Sequence, residues 1–121
     1  VATQPPNALV LNNLAWVSRQ SHKDNAITYA EKANRLAPNQ PAFMDTWAML
    51  LSDKGEHAKA IDLQTKALAA QPSNASFRLN LVRIYIAAGD KAKAKAELDE
   101  LAKLGEQNPT HVEVLELRKA L

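Results

Sequence analysis

The sequence predicts an all-α chain: an α-solenoid of three helix pairs followed by a C-terminal helix. Three observations carry that reading. Ala occurs 22 times and Leu 16 times in 121 residues, and both are strong helix formers. Val, Ile and Thr are comparatively few, and no Asn-Gly or Asp-Gly hairpin turn occurs. Above all, the chain repeats itself. Pro38 and Pro72 lie 34 residues apart, as do Gly55 and Gly89, Ala33 and Ala67, and Ala60 and Ala94, while Pro41, Ala75 and Pro109 form a ladder at the same interval. Self-similarity at a fixed period of roughly 20–50 residues marks stacked supersecondary units, none of which buries its apolar face alone.

The elements follow in order. The first helix is expected over 7–20, with Ala8-Leu9-Val10-Leu11 and Leu14-Ala15-Trp16-Val17 covering more than a single stripe. A helix apolar on several sides is normally sandwiched. Residues 8–17 are therefore expected to leave an apolar face that self-associates, favouring a homodimer through the first helix. The chain starts at Val1 rather than Met, which reads as a fragment of a longer protein with further repeats upstream. The second helix is expected over 24–37, capped by Asp24 and stopped by Pro38. One register is irregular: Leu14 to Ala26 is 12 residues, whereas Trp47 to Ala60 and Leu81 to Ala94 are 13. The missing residue falls in Gln20-Ser21-His22-Lys23, a turn, where deletion is tolerated.

The third helix is expected over 41–54, with Pro41 at its first position, where a missing N–H costs nothing. Gly55 then supplies the left-handed residue that ends it. The fourth runs over 57–70 before Pro72, and the fifth over 75–88 before Gly89. The sixth, over 91–104, is capped by Asp90 and followed by Gly105. In the tail, Val112-Glu113-Val114 alternates like a strand, but Leu115 to Leu121 reads as helix and Pro109 is in phase with the ladder. A seventh helix over 109–121 is expected, with Pro109 opening it. The repeats are then about 7–40, 41–74 and 75–108 within one array spanning 1–121.

Composition removes whole classes of chemistry. Without Cys there are no disulfides, thiolate zinc sites or Cys nucleophiles. Three glycines, at 55, 89 and 105, cannot build a Gly-rich phosphate loop. No G-x-S-x-G, H-E-x-x-H or G-K-[ST] occurs. A non-enzymatic protein with no cofactor is expected. His22 and His57 fall near equivalent turns, with Asp24 and Glu56 the only further ligands nearby. They read as solvated turn histidines, and no metal is expected. Net charge is +2, and the signs are interspersed. Lys91, Lys93 and Lys95 scatter around a helix that turns about 100° per residue, and Glu97, Asp99 and Glu100 follow at once. That is a solvated face, so no nucleic-acid partner is expected. No apolar run approaches the ~18 residues of a membrane span, so this segment is not expected to insert into a membrane.

The punctuation also carries a family resemblance. Leu14-Ala15, Ala26-Ile27, Ala33 and Pro38 recur as Trp47-Ala48, Gly55, Ala60-Ile61, Ala67 and Pro72, then as Leu81, Tyr85, Gly89 and Ala94. On these residues nearly the whole chain resembles a tetratricopeptide repeat (TPR) array. It departs at Val82, where a small residue is usual, and at Glu106, where Pro is. The resemblance implies a right-handed superhelix whose first helices line a concave groove. Carried over position by position, the groove is lined by Leu9, Asn12, Asn13, Trp16, Arg19 and Gln20 in the first repeat. In the second it is lined by Ala42, Asp45, Thr46, Met49, Ser52 and Asp53, and in the third by Ser76, Leu79, Asn80, Arg83, Ile86 and Ala87.

Of these, Asn12, Asn13, Trp16, Arg19, Asp45, Met49, Asn80 and Arg83 are the candidate partner-binding residues. Trp16, Met49 and Arg83 share one position in successive repeats and are expected to form a ladder. Trp and Arg are enriched in binding hot spots, and the Asn amides both donate to and accept from a peptide backbone. The alternative is that Trp16 and Met49 simply pack between helices. The family's clamp for a C-terminal carboxylate is not expected, because Asn12, Trp16, Thr46, Ser76 and Asn80 include no basic residue.

Leu11-Asn12-Asn13-Leu14-Ala15-Trp16, Asp45-Thr46-Trp47-Ala48 and Ala87-Ala88-Gly89-Asp90-Lys91-Ala92 look like the C-terminal repeats of bacterial TPR lipoproteins. Those belong to exosortase (PEP-CTERM) systems of protein sorting and exopolysaccharide export. That resemblance implies a periplasmic, lipid-anchored parent; without it a cytoplasmic one stands. The expected function is a scaffold that binds a peptide or partner protein in the groove. A structural spacer, or the non-catalytic arm of an enzyme such as a glycosyltransferase, are the alternatives.

Overall fold

The computed structural model describes residues 6–21 and 25–121. Among these, the chain forms α1 (Pro6–Gln20), α2 (Ala26–Leu36), α3 (Pro41–Asp53), α4 (His57–Ala70), α5 (Ala75–Ala87), α6 (Lys91–Ala102), a 3-10 turn at Gly105–Gln107, and α7 (His111–Ala120). No strand occurs among the described residues. The helices pair as α1 on α2, α3 on α4 and α5 on α6, and α2–α3 and α4–α5 contacts join the pairs. Helix α1 also touches α3, and α3 touches α5, so the first helices of the pairs form one layer. Helix α7 packs on α6. The chain is an all-α repeat solenoid.

Local chemistry sets most of the helix ends. Pro41 opens α3. Gly55 (φ +85°) and Gly89 (φ +83°) take left-handed backbone just past α3 and α5. There the N–H of Glu56 returns to the Leu51 carbonyl at 2.9 Å, and that of Asp90 to the Tyr85 carbonyl at 2.9 Å. Both close helix ends in the Schellman manner. Asp90 caps α6 by accepting from the Lys93 N–H at 3.1 Å.

Three expectations differ by two residues. Helix α6 ends at Ala102 rather than 104, and Gly105 opens the 3-10 turn Gly105–Gln107. Helix α2 begins at Ala26, two residues later than expected, with Asn25 before it making no side-chain cap bond; Asp24 lies outside the described residues. Pro109 does not open α7, which starts at His111. The Asn108 side chain instead accepts from the Thr110 N–H (3.1 Å) and hydroxyl (3.0 Å). This Asx-type turn uses up Pro109 and Thr110 before the helix begins.

Small residues sit where helices approach. Ala15, Ala30, Ala33, Ala48, Ala60, Ala67 and Ala94 are fully buried. Larger residues fill the space between pairs: Phe43 packs with Ala33 and Ala37, Leu50 with Ala26 and Ala30, and Ile84 with Ala48 and Ala60. Val82, in place of a small residue, is also fully buried. Helix α1 departs from this pattern. Leu9, Val10, Leu14, Trp16 and Val17 are all exposed, as its distribution of apolar residues predicts. No helix among the described residues is long and apolar enough to cross a membrane.

Candidate functional site

A polar network links α3, α4 and α5. It centres on Asp45 of α3, which is half-buried, and its deepest member is the fully buried Gln64 of α4. Asp45 Oδ1 accepts from Gln64 Nε2 of α4 at 2.7 Å and from Asn80 Nδ2 of α5 at 3.0 Å. Gln64 Nε2 also donates to the Phe77 carbonyl at 2.8 Å. Asn80 in turn accepts from Arg83 Nη1 at 3.0 Å. One carboxylate thus ties three helices together and, through Asn80, orients an exposed guanidinium. Burial holds the Asp45 carboxyl above its ordinary value of 3.8. The amide hydrogen bonds from Asn80 and Gln64 and the charges of Arg19 and Arg83 oppose that rise without cancelling it.

A second cluster lies on α1. Arg19 forms a two-pronged ion pair with Asp53 of α3, Nε to Oδ2 at 2.7 Å and Nη2 to Oδ1 at 3.3 Å. Its guanidinium stands 5.6 Å from the centre of the Trp16 ring, within cation–π range. Trp16 is 40% exposed, so its ring is open to solvent while Arg19 holds one side of it. Arg83 makes no ion pair with a carboxylate among the described residues; its hydrogen bond is to the neutral Asn80.

The sequence-predicted residues therefore divide. Trp16 and Arg19 come together, as do Asp45, Asn80 and Arg83. Asn13 is exposed and Asn12 half-buried. Met49 is not a groove contact: it is only 5% exposed and packs with Leu51, Ala60 and Ile84. The ladder of Trp16, Met49 and Arg83 is therefore broken at its middle rung. The flexible thioether chain turns into the gap between helices instead of standing in the groove. Thr46 and Leu79 are likewise buried, Thr46 donating back to the Ala42 carbonyl at 3.2 Å. Sequence reasoning missed Gln64, the buried hub of the network. Its signal was present, since Gln64 stands where Ala30 and Leu98 stand in the neighbouring repeats.

Elsewhere the chemistry is sparse. No group of three or more His, Asp or Glu among the described residues is placed to hold a metal ion, and His22 and Asp24 lie outside those residues. Lys91, Lys93 and Lys95 are exposed, with Lys93 near Asp90 and over the Tyr85 ring. No curated protein matches the chain. The tetratricopeptide repeat family model matches residues 51–118, more than half of the chain. Over stacked helix pairs punctuated at a 34-residue interval, that match shows that the chain belongs to the tetratricopeptide repeat family.

Proposed function

We propose that this chain is a non-enzymatic scaffold whose inner layer binds an extended peptide segment of a partner protein. Tetratricopeptide repeats generally mediate protein–protein interaction. The observation that supports the specific reading is the preorganised pair of contact groups on that layer. Trp16 is held by Arg19, itself fixed by Asp53, and Arg83 is oriented by Asn80, itself fixed by Asp45. Side chains locked before the partner arrives lose little rotamer freedom on binding, a cost of about 0.5–1.5 kcal/mol per long side chain when it is not prepaid. Trp16 offers apolar area. Arg83 offers N–H donors to backbone carbonyls or an acidic side chain.

The test is selection from a displayed library of random linear peptides on the intact chain, followed by counter-binding to Trp16→Ala and Arg83→Ala. Selected peptides should bind the unsubstituted chain saturably and lose at least about tenfold in affinity on each variant, the scale of a hot-spot loss. Peptides that bind both variants unchanged would refute the groove reading.

A further inference from the structure

Resting on the groove reading, we infer that the bound segment carries an internal aspartate or glutamate that pairs with Arg83, about five or six residues from the side chain that packs on Trp16. The chain has five arginines, at 19, 35, 78, 83 and 118. Arg19 pairs with Asp53, Arg35 with Glu31, Arg78 with Glu97 and Arg118 with Asp99. Arg83 alone has no carboxylate partner among the described residues; its hydrogen bond is to the Asn80 amide oxygen at 3.0 Å.

Arg83 is also the open cation of the inner layer. Helix α1 carries Arg19 alone, α3 carries no cation, α5 carries Arg78 and Arg83, and no lysine lies on these three helices. A guanidinium presents five N–H donors in a planar fork that matches a carboxylate two to two. Arg83 is exposed, and its Nη1 is held by Asn80, which Asp45 fixes in turn at 3.0 Å. Asp45 makes its own hydrogen bonds to Gln64 and Asn80, not to Arg83. Exposed ion pairs are usually weak because two long side chains must be ordered to make them. Here Asn80 has already ordered one of the two. Charge-assisted hydrogen bonds are roughly twice as strong as neutral ones, so a carboxylate uses the free prongs better than a backbone carbonyl does.

The spacing follows from the layer. Trp16 and Arg83 occupy one position of the repeat, 33 and then 34 residues apart through Met49, so they stand at one level on α1 and α5. Helix α3 lies between and touches both. Packed helices lie about 8–10 Å apart axis to axis, which separates the two positions by ~16–20 Å. An extended chain rises ~3.3 Å per residue, so the span is about five or six residues. Met49, at the middle position, is buried, so it adds no apolar anchor between them. A C-terminal carboxylate has the same chemistry as an acidic side chain. The five positions that would clamp one hold no basic residue, and Arg83 is not among them. An internal side chain is therefore the source that fits.

The experiment selects random linear peptides, displayed through a fused C-terminus so that none has a free terminal carboxylate, on the intact chain and on Arg83→Glu. Peptides from the unsubstituted chain should share an Asp or Glu about five or six residues from an aromatic or large aliphatic residue. Those from Arg83→Glu should carry Lys or Arg at that position instead. In a synthetic copy of the strongest peptide, changing the acid to its amide should cost at least about tenfold in affinity for the unsubstituted chain and under about twofold for Arg83→Ala. Free-acid and amidated C-termini should bind alike. Arg83 is exposed, so both variants should melt normally; if Arg83→Glu does not, the comparison with Arg83→Ala decides alone. Peptides that need Trp16 and Arg83 but no acidic residue would overturn the inference and leave the groove reading standing. So would an equal loss from the amide change on the unsubstituted chain and on Arg83→Ala. Binding that requires a free terminal acid would overturn it in favour of a C-terminal carboxylate. Failure to select any peptide would remove the groove reading and this inference together.

Discussion

Replacing Gln64 by Ala tests the polar network at its hub. Gln64 is fully buried, and its Nε2 donates to Asp45 Oδ1 at 2.7 Å and to the Phe77 carbonyl at 2.8 Å. Losing a hydrogen bond to a charged acceptor costs about 1.5–3 kcal/mol, and losing one to a neutral carbonyl about 0.5–1.5 kcal/mol. Two effects offset part of this. Gln64 Oε1 is buried with no hydrogen-bond partner among the described residues, so truncation also removes a costly unpaired acceptor. Ala30 occupies the equivalent position in α2 without disturbing that junction, so the backbone tolerates the small side chain. The net destabilisation should be about 1–3 kcal/mol. Urea unfolding followed by circular dichroism measures it. The attribution to Asp45 is checked by repeating the substitution in an Asp45→Ala background, where the cost should shrink by about 1–2 kcal/mol. A change below about 0.5 kcal/mol, the ordinary scatter of surface substitutions, would refute the reasoning. So would an equal cost in both backgrounds.

Other perturbations separate core from groove. Met49→Ala should destabilise by about 2–5 kcal/mol, as a buried large-to-small change does, whereas Arg83→Ala should stay within about 0.5 kcal/mol because the residue is exposed. Equal urea midpoints for the two would return Met49 to the groove. Ala60→Leu should overpack the contact with Ile84 and Leu51 and cost about 1–3 kcal/mol; an unchanged midpoint would contradict that packing. Burial holds the Asp45 carboxyl above 3.8 in the folded chain, so the folded state binds this proton more tightly than the unfolded state does. The stability from this group is present below 3.8 and lost as pH rises through the raised folded value. The stability difference between the unsubstituted chain and Asp45→Asn should therefore change across that window. A difference that is flat with pH would refute the raised value.

The fold was legible because its determinants are local and periodic. Gly55, Gly89, Asp90 and Pro41 do in the structure what their positions in the repeat predict. Side-chain turn chemistry accounts for the misjudged start of α7, where Asn108 captures Thr110. Helix α2 starts late without it, since Asn25 supplies no side-chain cap bond. Asn39, after Pro38, adopts φ +64°, a left-handed turn residue that Asn tolerates and that the Pro alone does not announce.

The candidate site was legible by direction but not by depth. Helical spacing puts Trp16 and Met49 at the same angle, yet Met49 lies in the middle pair, where neighbours on both sides close over it. Trp16 sits on the first pair and is 40% exposed among the described residues. Spacing on the first helices does not announce Gln64, because it reaches in from a second helix to a carboxylate on the neighbouring element.

The most direct test of the groove account is amide and side-chain chemical-shift mapping of the intact chain on titration with a library-selected peptide. Shifts should concentrate on the inner layer, at the Trp16 indole N–H, the Asn80 amide and the Arg83 Nε–H, with α2, α4 and α6 largely silent. Shifts clustered instead on the exposed sides of those second helices, with Trp16 and Arg83 unmoved, would contradict it.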